Sequence, residues 1–140
     1  MENVTVIDAT NAVLGRLGTN VAKRLLNGEN IVIVNSEKAI IIGKKKTIIE
    51  EYRKKREIGT SRKGPFFPRM PDRIVKRTIR GMLPYQQPKG RSALKRLKCY
   101  IGIPDELKDK KFEIIEKALA SNPIEYITIG ELSKYLGAEI

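Results

Sequence analysis

The chain has 140 residues and a mass of 15.8 kDa, with 41% hydrophobic and 31% charged residues, which suits one packed core and argues against wholesale disorder. Twenty-eight Lys and Arg stand against 16 Asp and Glu, a net charge of +12, and the absence of histidine excludes imidazole bases, His-ligated metals and Ser-His-Asp triads. A lone cysteine, Cys99, excludes a disulfide framework; no apolar run approaches the roughly 20 residues of a bilayer span, and Met1-Glu2-Asn3 carries no export signal, so the expected setting is a reducing cytoplasm.

The β-branched run Val4-Thr5-Val6-Ile7-Asp8 predicts a buried strand. A helix follows, capped by Thr10 or Asn11. Leu14, Leu17, Val21, Ala22, Leu25 and Leu26 lie on one stripe, with Arg16, Asn20, Lys23 and Arg24 opposite, and Asn27-Gly28 ends it. Ile31-Val32-Ile33-Val34-Asn35 predicts a second strand covered on both faces. Together these make a βαβ unit with a right-handed crossover. Two nucleotide-site look-alikes fail on spacing. Gly15-Arg16-Leu17-Gly18 lacks the earlier turn glycine of a dinucleotide fingerprint, so Gly18 is read as a close-packing position against the sheet. Gly43-Lys44 lacks the first glycine and the hydroxyl of a P-loop.

Charge divides the chain into three parts. Residues 1–43 sum to zero and 101–140 to −3, whereas 44–100 hold 19 basic groups against four acids, a sum of +15. Such segregation points to a polyanion, with a merely solvated basic face as the plain alternative. Within the block, residues 44–56 predict a helix with a thin apolar stripe, Ile48, Ile49 and Tyr52. Around it lie Lys44, Lys45, Lys46, Arg53, Lys54, Lys55 and Arg56, supported by Glu50–Lys54 and Glu51–Lys55 pairs. Residues 59–71 hold three prolines and two glycines and predict an irregular loop charged by Arg62, Lys63 and Arg69. Phe66 and Phe67 read first as anchors that tuck this loop onto the core, and second as stacking faces for unpaired bases.

Asp72 is placed to cap the next helix. There Arg73, Lys76, Arg77 and Arg80 share one face, and Ile74, Val75, Thr78, Ile79 and Met82 the other. Four neighbouring cations repel each other, and no acid on the helix beyond Asp72 relieves them, so a phosphate backbone is the natural counter-charge. After Gly81-Met82-Leu83-Pro84 and a turn, a further helix carries Arg91, Lys95 and Lys98, with Arg96 beside them and Leu94 and Leu97 inward. Residues 98–101 predict a third strand, with Cys99 as a small core residue. In the acidic tail, Phe112, Ile115, Ala118 and Leu119 predict a short amphipathic helix, Tyr126-Ile127-Thr128-Ile129 a fourth strand, and Leu132, Tyr135 and Leu136 a last helix after Gly130, closed by Gly137.

The residues resemble the universal large-subunit ribosomal protein L-thirteen family in its archaeal/eukaryotic form. The likeness rests on Val6-Ile7-Asp8-Ala9-Thr10 through Leu14-Gly15-Arg16-Leu17, on Ile33-Val34-Asn35 reaching Gly43-Lys44-Lys45, and on Gly64-Pro65-Phe66 and Ile101-Gly102-Ile103-Pro104. Its most specific piece is Arg77-Thr78-Ile79-Arg80-Gly81-Met82-Leu83-Pro84 running on to Leu94-Lys95-Arg96-Leu97-Lys98. The likeness covers essentially the whole chain and weakens after about residue 105.

The resemblance implies a three-layer α/β/α fold with a mostly parallel four-stranded sheet, carrying the basic helical and loop insertion. It also implies a structural role in binding 23S-type large-subunit rRNA and aiding subunit assembly beside neighbouring ribosomal proteins, with no catalytic residues. The combined expectation is a single domain over 1–140: a βαβ start at 1–43, a basic RNA-facing segment at 44–100, and a closing helix–strand–helix at 101–140. No cofactor, metal, small-molecule substrate or membrane is expected. The competing readings are an extra-ribosomal RNA-binding translational regulator and a nucleotide-binding α/β enzyme.

Overall fold

The computed structural model of the chain describes residues 4–57 and 68–138, apart from the side chains of Arg56 and Glu57. The expectations for Arg62, Lys63, Phe66 and Phe67 lie outside the described residues.

β1 (Val4–Asp8), α1 (Leu14–Leu26) and β2 (Asn30–Val34) form the expected βαβ unit. β1 and β2 pair in parallel from Val4↔Asn30 to Asp8↔Val34. Gly28, at φ +96°, turns the chain from helix to strand in a conformation that favours glycine. β2 continues in parallel to β4 (Leu97–Cys99), and β1 to β5 (Phe112–Glu113), giving the order β4-β2-β1-β5. The pleat sends Ile7, Ile31, Ile33 and Leu97 to one face and Val6, Val32 and Val34 to the other. Tyr100, Ile103, Leu107 and Phe112 cover the second face, from a segment with a 3₁₀ turn at Asp105–Leu107. The uninterrupted apolar run of β2 therefore reflects burial on both sides.

Helices cover the first face. α1 packs beside α3 (Pro71–Arg80) and α4 (Pro88–Lys95). α3 buries Pro71, Ile74, Val75 and Ile79, the face its periodicity predicts. A second, two-stranded antiparallel sheet joins β3 (Ile40–Ile42) to β6 (Tyr126–Thr128). Against this sheet α2 (Lys45–Glu57) packs, burying Ile48, Ile49 and Tyr52 in the main core. α5 (Ile129–Tyr135) closes the core with Ile129 and Leu132, and Thr128 caps it by accepting from the Glu131 backbone N–H at 3.1 Å.

The structure departs from the sequence reading at several points. α1 is preceded by Val13, not capped by Thr10 or Asn11, because Thr10 turns back and donates its N–H and hydroxyl to Asp8 Oδ1 at 2.9 and 2.7 Å. α3 is preceded by Met70, and Asp72 lies in the first turn, where a carboxylate complements the helix dipole. Residues 112–119 form β5 and a 3₁₀ turn at Glu116–Ala118, not a helix: Phe112 joins β1, and the apolar spacing of so short a stretch fits either state. β6 joins β3 instead of the main sheet, whose fourth strand is β5. The third strand spans Leu97–Cys99, which places Lys98 on a strand and not on α4. Met82 is 38% exposed, and Gly18 permits close approach to Met82 and Ile79 instead of to the sheet.

Candidate nucleic-acid interface

The cations of the basic block fall into three groups, set by the elements that carry them. Two serve the fold. α3 runs beside β4, so Lys76 reaches across and donates to the Leu97 carbonyl at 3.0 Å. Arg96, the residue closing α4, donates Nη2 to the Leu25 carbonyl at 2.6 Å, and its Nε is buried without a partner. Leu25 lies in the last turn of α1, where the dipole is negative; its carbonyl already accepts from the Gly28 amide at 3.0 Å, and the guanidinium adds a charge-assisted bond to it. The sequence expects both on the polyanion-facing surface; each is half-buried and gives a side-chain donor to a carbonyl of the fold.

A second group is steadied by neighbours yet stays near the surface. Lys45 pairs with Glu131 at 3.1 Å. Lys55 lies 4.4 Å from the Tyr52 ring centroid, and Arg80 4.5 Å from that of Tyr85. Arg91 donates to the Gln86 carbonyl at 3.1 Å, and Arg77 is half-buried.

The third group is bare. Lys44, Lys46, Arg53, Lys54, Arg69, Arg73 and Lys95 are exposed, and their side chains make no hydrogen bond or ion pair among the described residues. The expected Glu50–Lys54 pair is accordingly absent. Lys89 and Lys98 are exposed in the same way, although the sequence did not single them out as ligands. Arg16 and Lys23 are also exposed, on α1, the helix that packs with α3 and α4. Their helical spacing was visible, but the zero net charge of residues 1–43 hid them.

Carboxylates are scarce here. No acid occurs between Asp72 and Asp105, and Asp72 Oδ1 is buried without a hydrogen-bond partner. Elsewhere several carboxylates are engaged. Burial works to raise the Asp8 pKa, but hydrogen bonds from Thr10 and Asn35 and the charge of Lys38 hold it below the ordinary value. Arg24 hydrogen-bonds Glu29 and Glu113, which raises its own pKa; the Glu29 carboxyl is held low chiefly by that bond. Burial pushes the Cys99 thiol up to about 12, so it stays protonated at neutral pH.

The Arg-Gly-Met-Leu-Pro segment forms a locked turn between α3 and α4. Leu83 is buried, Met82 Sδ lies 2.9 Å from where a Cβ on Gly18 would stand, and a Cβ on Gly90 would overlap the Pro84 carbonyl. The Gln87 and Gly90 amides donate to Pro84 and Gln87 carbonyls at 2.9 and 3.1 Å.

In open parallel sheets, small ligands bind beyond the carboxyl ends of the strands, where the strand order reverses. Here that point lies between β1 and β5, and the chain fills it. The Val13 amide donates to the Ala118 carbonyl at 2.8 Å, the Ala120 amide to the Asn11 carbonyl at 3.1 Å, and Ala12 bridges Leu119. Among the described residues, no cluster of three or more acidic, Cys or His side chains could hold a metal, and no helix is long and apolar enough to cross a membrane.

The family model described as Ribosomal protein L13 matches residues 2–106. The chain belongs to the ribosomal protein L13 family. It is 51% identical over 139 residues to "Large ribosomal subunit protein uL13" of Archaeoglobus fulgidus, covering 97% of this chain and 89% of that protein. The proteins of the same name from Methanococcoides burtonii and Methanocaldococcus jannaschii are 52% and 53% identical, each match covering 97% of this chain and 99% of theirs. These relatives are archaeal, and their names describe ribosomal components, not enzymes.

Proposed function

We propose that the chain is a single-domain structural component of the large ribosomal subunit that binds 23S-type rRNA through its basic block and aids subunit assembly beside neighbouring proteins, on cytoplasmic ribosomes. The supporting observation is the set of bare, exposed cations on and around α2, α3 and α4, which have no carboxylate partner among the described residues. Lys44, Lys46, Arg53, Lys54, Arg73 and Lys95 are the primary phosphate ligands, joined by Lys45, Lys55, Arg69, Arg77, Arg80 and Arg91. Arg56, Arg62 and Lys63 belong to the same reading from their sequence positions. Lys76 and Arg96 act through the fold. Each phosphate contact releases counterions, so affinity falls linearly with salt on logarithmic axes. Base-paired RNA hides its major-groove edges, so recognition rests on shape, loops and 2′-hydroxyls.

Titration of protein-free 23S-type rRNA across a salt series tests this. The wild-type chain is expected to show a steep slope, and Arg73→Glu with Lys95→Glu a shallower one, by about one unit for each phosphate that goes unbound. An unchanged slope and affinity in the double variant would remove these residues from the interface. A chain that binds no rRNA, and sediments apart from large subunits in lysate, would overturn the proposal.

A further inference from the structure

We infer that the turn between α3 and α4 holds a stacking site for an unpaired RNA base, built from Tyr85 and Arg80. The inference rests on the rRNA-binding reading and sharpens it from phosphate contact to base contact. Tyr85 is 37% exposed, although the Arg80 guanidinium lies 4.5 Å from its ring centroid. An aromatic ring left in solvent within a basic block is the surface on which nucleobases stack, and every base has such a π-face. The Arg80 guanidinium makes no hydrogen bond or ion pair among the described residues. Its planar donors are held by the ring yet remain available to a phosphate beside the stacked base.

The turn that carries Tyr85 is braced by its own hydrogen bonds. The Tyr85 amide donates to the Leu83 carbonyl at 2.8 Å, and Arg91 ties down the Gln86 carbonyl at 3.1 Å. Gly90 admits the Pro84 carbonyl where any side chain would collide with it. A ring carried on a braced turn, with a guanidinium against it, loses less conformational freedom on binding than one on an unsupported loop. The absence of acids from Arg73 to Pro104 favours a nucleic acid over a basic protein segment as occupant.

Binding to protein-free 23S-type rRNA and to a perfect RNA duplex, measured for wild type, Tyr85→Ala and Tyr85→Phe, tests the site, with ultraviolet crosslinking of the wild-type complex followed by peptide mapping. Tyr85→Ala is expected to bind rRNA about 10-fold more weakly with an unchanged salt slope, Tyr85→Phe to bind as wild type, and duplex binding to be unaffected. The crosslinked peptide is expected to contain Tyr85. Equal rRNA affinity of Tyr85→Ala and wild type, or an equal loss on duplex, would overturn the stacking site while leaving phosphate binding intact. If Tyr85→Ala fails to fold, the wild-type crosslink decides, and its absence from the 82–87 peptide overturns the site. Loss of all rRNA binding by the wild-type chain would instead remove the wider reading.

Discussion

The βαβ start and the basic middle use charge in opposite ways. In residues 4–43 every acid is engaged: Arg24 bridges Glu29 and Glu113, Asp8 gathers donors from Thr10 and Asn35, and Glu37 accepts from the Gly102 amide. From residue 44 to 98, cations so outnumber acids that few can find an acidic partner as Lys45 does in Glu131. Its other positive groups bond a helix end, brace a strand, lie over rings or stand in solvent. The contrast separates a positive charge that completes the fold from one left for a partner, and the two kinds occur on the same helices. On α3, Arg73 is bare while Lys76, three residues on, is tied to β4.

Substitutions can break this division. Gly90→Ala is expected to give the largest effect, about 3 kcal/mol of destabilisation, because the Pro84 carbonyl must move; thermal and urea unfolding measure it. Arg96→Ala is expected to cost about 2 kcal/mol by removing a charge-assisted bond to the last turn of α1, with no comparable change in the salt slope of rRNA binding. Arg24→Ala should cost about 1 kcal/mol at low salt and less at high salt, since its partners are partly solvated. By contrast, Arg73→Glu with Lys95→Glu should leave the unfolding free energy within about 0.5 kcal/mol of wild type while weakening rRNA binding. A large loss of stability in that double variant would erase the distinction.

Acid titration sharpens the same comparison. Asp8 and Glu29 have folded pKa values below their ordinary ones. Their stabilising contribution is therefore present at neutral pH and lost as pH falls through the depressed folded values. Unfolding followed from neutral to acid pH should show wild type losing this contribution, and Asp8→Asn losing less over the same window. Identical pH dependence in the two proteins would remove Asp8 from this role.

Local patterning foretold the elements whose contacts are close in sequence. The β-branched runs of β1 and β2, the stripe of α1 and the buried face of α3 each carry their period within one element. The tail was harder to read, because its pairings are remote. Phe112 becomes a strand only because β1 has a free edge, and Ile40–Ile42, unassigned from sequence, pairs with a segment more than 80 residues away. The candidate interface divides on the same line. Counting Lys and Arg located the block, but nothing in the neighbourhood of Lys76 or Arg96 announces that carbonyls of Leu97 and Leu25 await them. Nor does periodicity reveal that Tyr85 meets Arg80; that approach depends on the tight return of the chain after Gly81.

The plugging of the β1–β5 crevice by residues 118–120 has a thermodynamic corollary. A metabolite seated there would shift unfolding by mass action, coupling the domain's persistence to cellular supply. With backbone amides and carbonyls of the described residues already paired across that gap, the β1–β5 crevice offers no such handle by which nucleotide levels would set the domain's lifetime.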